Sequence, residues 1–361
     1  MLCVAAFVVL LVLGAVSAKY RALLRRAWGC VSRRVTFRPC DTSFREDVKN
    51  SLLAPLALRS PRLVRPASIA IEVTAWAMVL SLVVSGYVVA RSGLNLVAYG
   101  TCNKENPQAC SLSATQGCSI DSQTPTFAAS LLDGDVVGAF RNEFSSLADT
   151  ITAVPGRFRT WDGAQYATSH ASYLGGYRDG LPTALEVIDP GCQFCAQLFT
   201  NIEESGFAEA NNLTYIVYPI TLSFVPKFAN SPLVAQYLTA IQLLESADGA
   251  PADDPTDWFI LEQVFTGSRE DGTGWQVWLN EQASPEQAEA QLQAWLAEAG
   301  YDQDAISEVD ALADSARVEE AIAQGRAVVE DEIRTLTVPT LIANGDLHLG
   351  VVETTDLEAM R

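Results

Sequence analysis

Cys192 and Cys195 stand two residues apart in the stretch IDPGCQFCAQLF, residues 188–199. An apolar run precedes them, and the residues after them read as a helix. Three chemistries use such a pair: thiol–disulfide exchange, half of a zinc site, or a static structural bond. Zinc asks for four ligands, usually two pairs at set spacing. The chain has one CxxC and only two histidines, His170 and His348. His348 falls in an expected hairpin strand and His170 in a loop, so neither reads as a ligand. A static bond closing two residues would be strained and exposed, which suits a reactive bond better than a staple. Exchange chemistry remains. At a helix start, unpaired N–H groups and the positive dipole end favour a thiolate on Cys192. Cys195, one turn further in, is the buried partner that resolves a mixed disulfide formed at Cys192.

The elements that must position this pair are legible around it. TALEVID, residues 183–189, is an apolar run ended by Pro190-Gly191, as a buried strand would be. Glu186 lies inside that run, six residues before Cys192. Buried there, its carboxyl exchanges a proton with Cys195; the alternative places it on a solvent face. After the cysteines, Phe194, Leu198, Phe199 and Ile202 share one helical face, and Gly206 is a natural stop. NLTYIVYPITL, residues 212–222, reads as a second buried strand. Residues 230–335 read as several helices, one opened by the capping box Ser284-Pro285-Glu286-Gln287. LTVPTLIANGDLHLGVV then gives two short strands flanking Asn344-Gly345, a strong hairpin signal. Val338-Pro339-Thr340 precedes the first of them, a proline position that is sometimes cis. Upstream, a helix is expected over about 136–152 with Val136, Val137, Phe140, Phe144 and Leu147 on an apolar face.

In this order the α/β elements resemble the thioredoxin superfamily, most closely its DsbA-like branch. LEVIDPGCQFC resembles that family's active-site strand and helix start, and TVPTLIANG its cis-proline loop and final hairpin. The resemblance covers residues 183–352, with a helical insertion at about 228–335, and so about half the chain. It implies that Cys192 attacks, Cys195 resolves, Glu186 is the buried acid and Pro339 is the cis proline. Val338 then offers backbone hydrogen bonds to a bound peptide, with Gln193 and Phe194 beside it. It also implies a thiol–disulfide oxidoreductase acting on protein thiols and disulfides. The redox centre would be the Cys192–Cys195 disulfide itself, so no bound cofactor is needed. The Gln193-Phe194 spacer has neither the histidine of strongly oxidising members nor the proline of reducing ones, so an intermediate potential is expected. A non-catalytic binding or chaperone module, and a reductase fed by a membrane partner, are the competing functions.

Charge and hydropathy set the surroundings. The chain has 361 residues and a net charge of -19, unevenly spread. Residues 1–67 carry 12 Lys+Arg and 3 Asp+Glu, residues 91–361 carry 12 and 39. So acidic a body repels phosphates and excludes a nucleic-acid role. With only four lysines, it fits a halophile as well as an ordinary acidic secreted protein. Residues 1–18 and 73–90 are uncharged and apolar, each near the minimum for a membrane crossing. The expected layout is a transmembrane helix at 1–18, a basic cytoplasmic loop at 19–67 and a transmembrane helix at 68–90. An extracytoplasmic juxtamembrane region, 91–180, then leads to the thioredoxin-like domain, 181–361. AVSA before Lys19 leaves open that the first segment is cleaved. Cys102, Cys110 and Cys118 repeat at spacings of eight. Outside the cell at least two of them should pair, as Cys102–Cys110 or Cys110–Cys118, with one left over. A staple is one role for them, a relay of electrons toward the membrane the other.

Overall fold

A computed structural model of the chain describes residues 53, 61–104, 116–120, 126–222, 225–246 and 250–361. The expected first span at 1–18, most of the basic loop at 19–67, and Cys110 lie outside these residues. Met1–Ala90 and Arg91–Arg361 are separate compact units.

Helix α1 (Val64–Tyr99) has 36 residues, about 54 Å at the α-helical rise. Its most apolar 18-residue window has a mean hydropathy of 2.0, and among the described residues no other helix is long and apolar enough to cross a membrane. The expected span at 68–90 falls inside it. Gly100, at φ 70°, closes it in the left-handed conformation that ends many helices.

Strand β1 (Cys118–Ser119) follows, then α2 (Phe127–Leu132) and α3 (Val136–Ala153). Asp135 caps α3, its Oδ1 accepting from Gly138 N at 2.8 Å. The apolar stripe read on this helix points outward: Val137 is 81% and Phe144 68% exposed. The buried positions are the small Ala139, Thr150 and Ala153 instead. Close approach to the end of α1 decides this, because Thr150 Oγ1 donates to Asn95 Oδ1 at 2.9 Å and Arg91 pairs with Glu143 at 3.2 Å. Phe140 meets Phe127 edge-on at 5.2 Å.

The α/β body is built on β2 (Thr183–Ile188), buried from Ala184 onward. A crossover through α4 (Gln193–Ser205) and α5 (Phe207–Ala210) returns the chain to β3 (Asn212–Val217), parallel to β2. The apolar run 212–222 is therefore not one strand. Pro219 lacks the N–H a ladder needs, and Thr221–Leu222 (β4) turns away to pair with Val225–Pro226 (β5).

Between these strands and the last hairpin stand α6 (Ser231–Glu245), α7 (Thr256–Thr266), α8 (Trp275–Glu281), α9 (Pro285–Glu298), α10 (Gln303–Ala313) and α11 (Ala316–Ala327). A π-helical turn, Val328–Ile333, ends this stretch. The capping box at Ser284 is formed, with Ser284 N donating to Gln287 Oε1 at 2.9 Å. One buried carboxylate ties these helices to the sheet. Asp257 Oδ2 accepts from Tyr215 OH of β3 at 2.6 Å, Gln242 Nε2 of α6 at 2.9 Å and Ser172 Oγ at 2.5 Å.

The chain re-enters the sheet through β6 (Thr337–Val338), β7 (Thr340–Ala343) and β8 (Asp346–Leu349), and ends in α12 (Thr354–Glu358). The Val338–Pro339 bond is cis, and Asn344 and Gly345 both take positive φ in the hairpin turn. The main sheet runs β3-β2-β7-β8, with β7 antiparallel to β2 and β8 antiparallel to β7. A parallel pair with its crossover helix, joined to a terminal antiparallel hairpin, is the thioredoxin arrangement, here with helices inserted before the hairpin. The small ladder β1-β6 stands apart from that sheet.

Candidate active site

β2 ends at Ile188, and Asp189-Pro190-Gly191 turns the chain into α4. Asp189 is fully buried and holds the turn together. Its Oδ1 accepts from Gly191 N, and its Oδ2 from Ile220 N, each at 2.8 Å; Ser231 Oγ also donates to Oδ1. Gln276 Nε2 of α8 donates to the carbonyls of Pro190 and Cys192 at 2.8 and 3.2 Å. Glycine at 191 is a steric need, since a Cβ there would lie 2.3 Å from Phe228 Cβ.

Cys192 is the N-cap of α4, and no side chain caps the helix there. Cys195 sits in the first turn, its N–H donating to Cys192 O at 3.0 Å. Both cysteines are fully buried. The disulfide expected between them is not the one present. Cys192 is bonded to Cys118, 74 residues earlier, and Cys195 is a free thiol. Strand pairing is the reason. β1 lies antiparallel to β6 with Cys118 opposite Val338, and Cys192 Sγ is 3.7 Å from Val338 O. With Cys118 bonded to Cys192, the Cys110–Cys118 pairing read from spacing is not the one formed here. Cys102 is itself disulfide-bonded.

Behind the cysteines the site is buried and acidic. Glu186 faces the interior, 1% exposed, in register with Tyr215 and Leu341. Its Oε1 has no hydrogen-bond partner. Burial pushes its carboxyl up to about 8. Burial first, and then the neighbouring Glu186 carboxyl, push the Cys195 thiol well above its ordinary range. Asp189 N–H approaches Cys195 Sγ at 3.5 Å. Burial also raises the Asp189 carboxyl, opposed by its hydrogen bond from Ser231 and those from Ile220 and Gly191. Cys195 thus holds its proton tightly in these surroundings, with Glu186 as a second buried ionisable group beside it.

In front, a cleft of about 420 Å³ is lined by Cys118, with Gln193, Phe194, Lys227, Phe228 and Gln276 also in its wall. Gln193 is exposed and Phe194 half-buried. The structure thus brings Glu186, Cys192, Cys195, Val338, Pro339, Gln193 and Phe194 to one place, and adds Cys118. His348 lies in β8 and His170 is buried in a loop, where burial lowers its pKa. Among the described residues no group of His, Cys, Asp and Glu could hold a metal. Asp189, Gln276 and Gly117, which also lines the cleft, carry no signal in the sequence that marks them for the site. Asp189 looks like any aspartate before Pro-Gly, and nothing local distinguishes the other two.

No family model matches the chain, and no curated protein does. Among solved structures, seven chains match. A thioredoxin-like oxidoreductase from Silicibacter pomeroyi DSS-3 is 16% identical, over 54% of this chain and 92% of its own, with a TM-score of 0.37. The thiol-disulfide exchange protein alpha-DsbA2 from Wolbachia pipientis is 17% identical, over 52% and 84%, with a TM-score of 0.35. The oxidoreductase DsbA from Xylella fastidiosa is 17% identical, over 52% and 87%, with a TM-score of 0.33. The chain is similar to these proteins over about half its length, and its thioredoxin arrangement rests on its own strand order and crossover.

Proposed function

We propose that the protein is a membrane-anchored thiol–disulfide oxidoreductase, acting as an oxidase or isomerase outside the cytoplasm. Its substrates are secreted or surface proteins that pass through a mixed disulfide with Cys192. One observation carries the reading: Cys192 caps a helix beside the Val338-Pro339 loop and is disulfide-bonded to a cysteine on a strand laid along that loop, while the free thiol Cys195 waits one turn inside.

The helix N-terminus favours the Cys192 thiolate, which makes Cys192 a good leaving group when a substrate disulfide closes. Gln193 is neutral and adds nothing to that, in keeping with an intermediate potential. The backbone of Val338 pairs with the substrate strand. In the oxidase direction a substrate thiolate attacks Cys192 Sγ of the Cys192–Cys195 bond, and Cys195 leaves as a thiolate that takes up a proton from the Glu186 carboxyl. A second substrate thiolate then closes the substrate disulfide and releases Cys192 as a thiolate. No bound cofactor enters this cycle. Helix α1 is the anchor, and the basic segment before it favours a cytoplasmic start.

The test is refolding of a reduced, disulfide-requiring substrate by the wild-type chain and by Cys192→Ser. Loss of at least a hundredfold in the variant is expected. Equal activity would favour a non-catalytic binding module on the same fold.

A further inference from the structure

The strand bonded to Cys192 belongs to the chain itself, and it is held by more than its sulfur. Cys118 and Ser119 pair with Val338 and Thr337. On either side, Val351 N donates to Gln116 O at 2.8 Å and Ile120 N donates to Leu336 O at 2.9 Å. Lys227 Nζ reaches Ser119 O at 3.4 Å. Cys118, Ser119 and Ile120 are 7%, 4% and 8% exposed, and Ile120 joins the main apolar core. Gly117 fits where no side chain would: a Cβ there would stand 2.3 Å from Thr337 Cγ2 and 3.0 Å from Val338 O. Strand addition of this kind takes affinity from the main chain and specificity from side-chain fit.

We propose that Gln116–Ile120 is a built-in substrate strand. It occupies the peptide-binding edge, and Cys118 competes with external cysteines for Cys192, so the chain is latched by its own segment. The proposal rests on Cys192 being the exchange centre. The step balances within three sulfurs. Cys118 thiolate attacks Cys192 Sγ of the Cys192–Cys195 bond, forming Cys118–Cys192, and Cys195 leaves as a thiolate that takes up a proton. In reverse, Cys195 gives its proton to Glu186, attacks Cys192 Sγ and releases Cys118. No external oxidant or reductant is consumed. Tethering supplies the strand at an effective concentration on the order of millimolar, well above dilute external peptide. The latch also defines its competitor: an extended cysteine peptide antiparallel to Thr337–Val338, with glycine before the cysteine and an apolar residue two places after it.

The experiment uses the oxidised full chain and a fluorescent thiol peptide, Gln-Gly-Cys-Ser-Ile, corresponding to residues 116–120. The initial rate of its mixed disulfide with Cys192 is measured after acid quench. Cys118→Ser should react at least tenfold faster than wild type. Gly117→Leu, which keeps the cysteine but unseats the strand, should do the same. Replacing the peptide's glycine by leucine should slow capture at least tenfold. Equal rates for wild type and Cys118→Ser, with Cys192–Cys195 the pair found in both, would overturn the latch while leaving the exchange centre standing. Capture that persists in Cys192→Ser would instead overturn the proposed function.

Discussion

Glu186→Gln should remove a pH dependence from the stability of the protein. The buried carboxyl is pushed from 4.5 up to about 8 by desolvation. The folded state therefore binds this proton more tightly than the unfolded chain does. Its contribution is greatest below about pH 4.5 and is lost as pH rises toward 8. At about 1.4 kcal/mol per tenfold change in proton affinity, the loss amounts to about 5 kcal/mol. Gln has nearly the same shape and cannot ionise, so the variant should lack this slope. The assay is denaturant unfolding of the full chain in detergent at pH 4.5, 6, 7 and 8, read by fluorescence of the buried Trp258 and Trp295. The comparison between the two proteins cancels the contributions of Asp189 and Asp257. Wild type and variant should diverge steadily with pH, the variant being the more stable at pH 8 relative to its value at 4.5. Parallel curves, differing in slope by less than about 1 kcal/mol over the range, would refute the idea that Glu186 is buried and desolvated.

Further outcomes rest on the same contacts. Gly191→Ala should destabilise by about 1–3 kcal/mol through overpacking against Phe228, and Gly191→Ala/Phe228→Ala should recover part of that loss in the same unfolding assay. Asp189→Ala should cost about 3 kcal/mol, because the buried Gly191 and Ile220 N–H groups lose their acceptor. It should also loosen the turn that carries Cys192, seen as faster alkylation of Cys195. Asp257→Ala should cost a similar amount, since Tyr215, Gln242 and Ser172 all donate to that carboxylate; the melting temperature reads it.

The features legible in the sequence are those whose signal is local. A buried strand ended by Pro-Gly, a helix with an apolar face and a glycine stop, a capping box and an Asn-Gly hairpin each announce themselves within a dozen residues. Glu186 is legible for the same reason, as a lone carboxylate in an apolar run. The features that are not legible depend on tertiary neighbours. Nothing near Cys118 says that it will meet a cysteine 74 positions away; the meeting comes from the β1-β6 ladder. The apolar stripe of α3 faces outward because small residues are needed where α3 meets the end of α1. The run 212–222 breaks at Pro219, where hydropathy stays high but the ladder loses a donor. Asp189 reads locally as a turn residue, and only the fold brings Ile220 and Ser231 to its carboxylate.

The most direct test of exchange at Cys192 is a single turnover with a disulfide-bonded peptide. The reduced full chain is mixed with the peptide, quenched in acid at intervals, and the position of the adduct read by mass spectrometry. An adduct on Cys192 should form and decay in the wild type, with Cys192–Cys195 appearing as it decays. In Cys195→Ser the adduct should form and persist. Peptide reduction without any adduct on Cys192, or at an unchanged rate in Cys192→Ser, would contradict exchange at this cysteine.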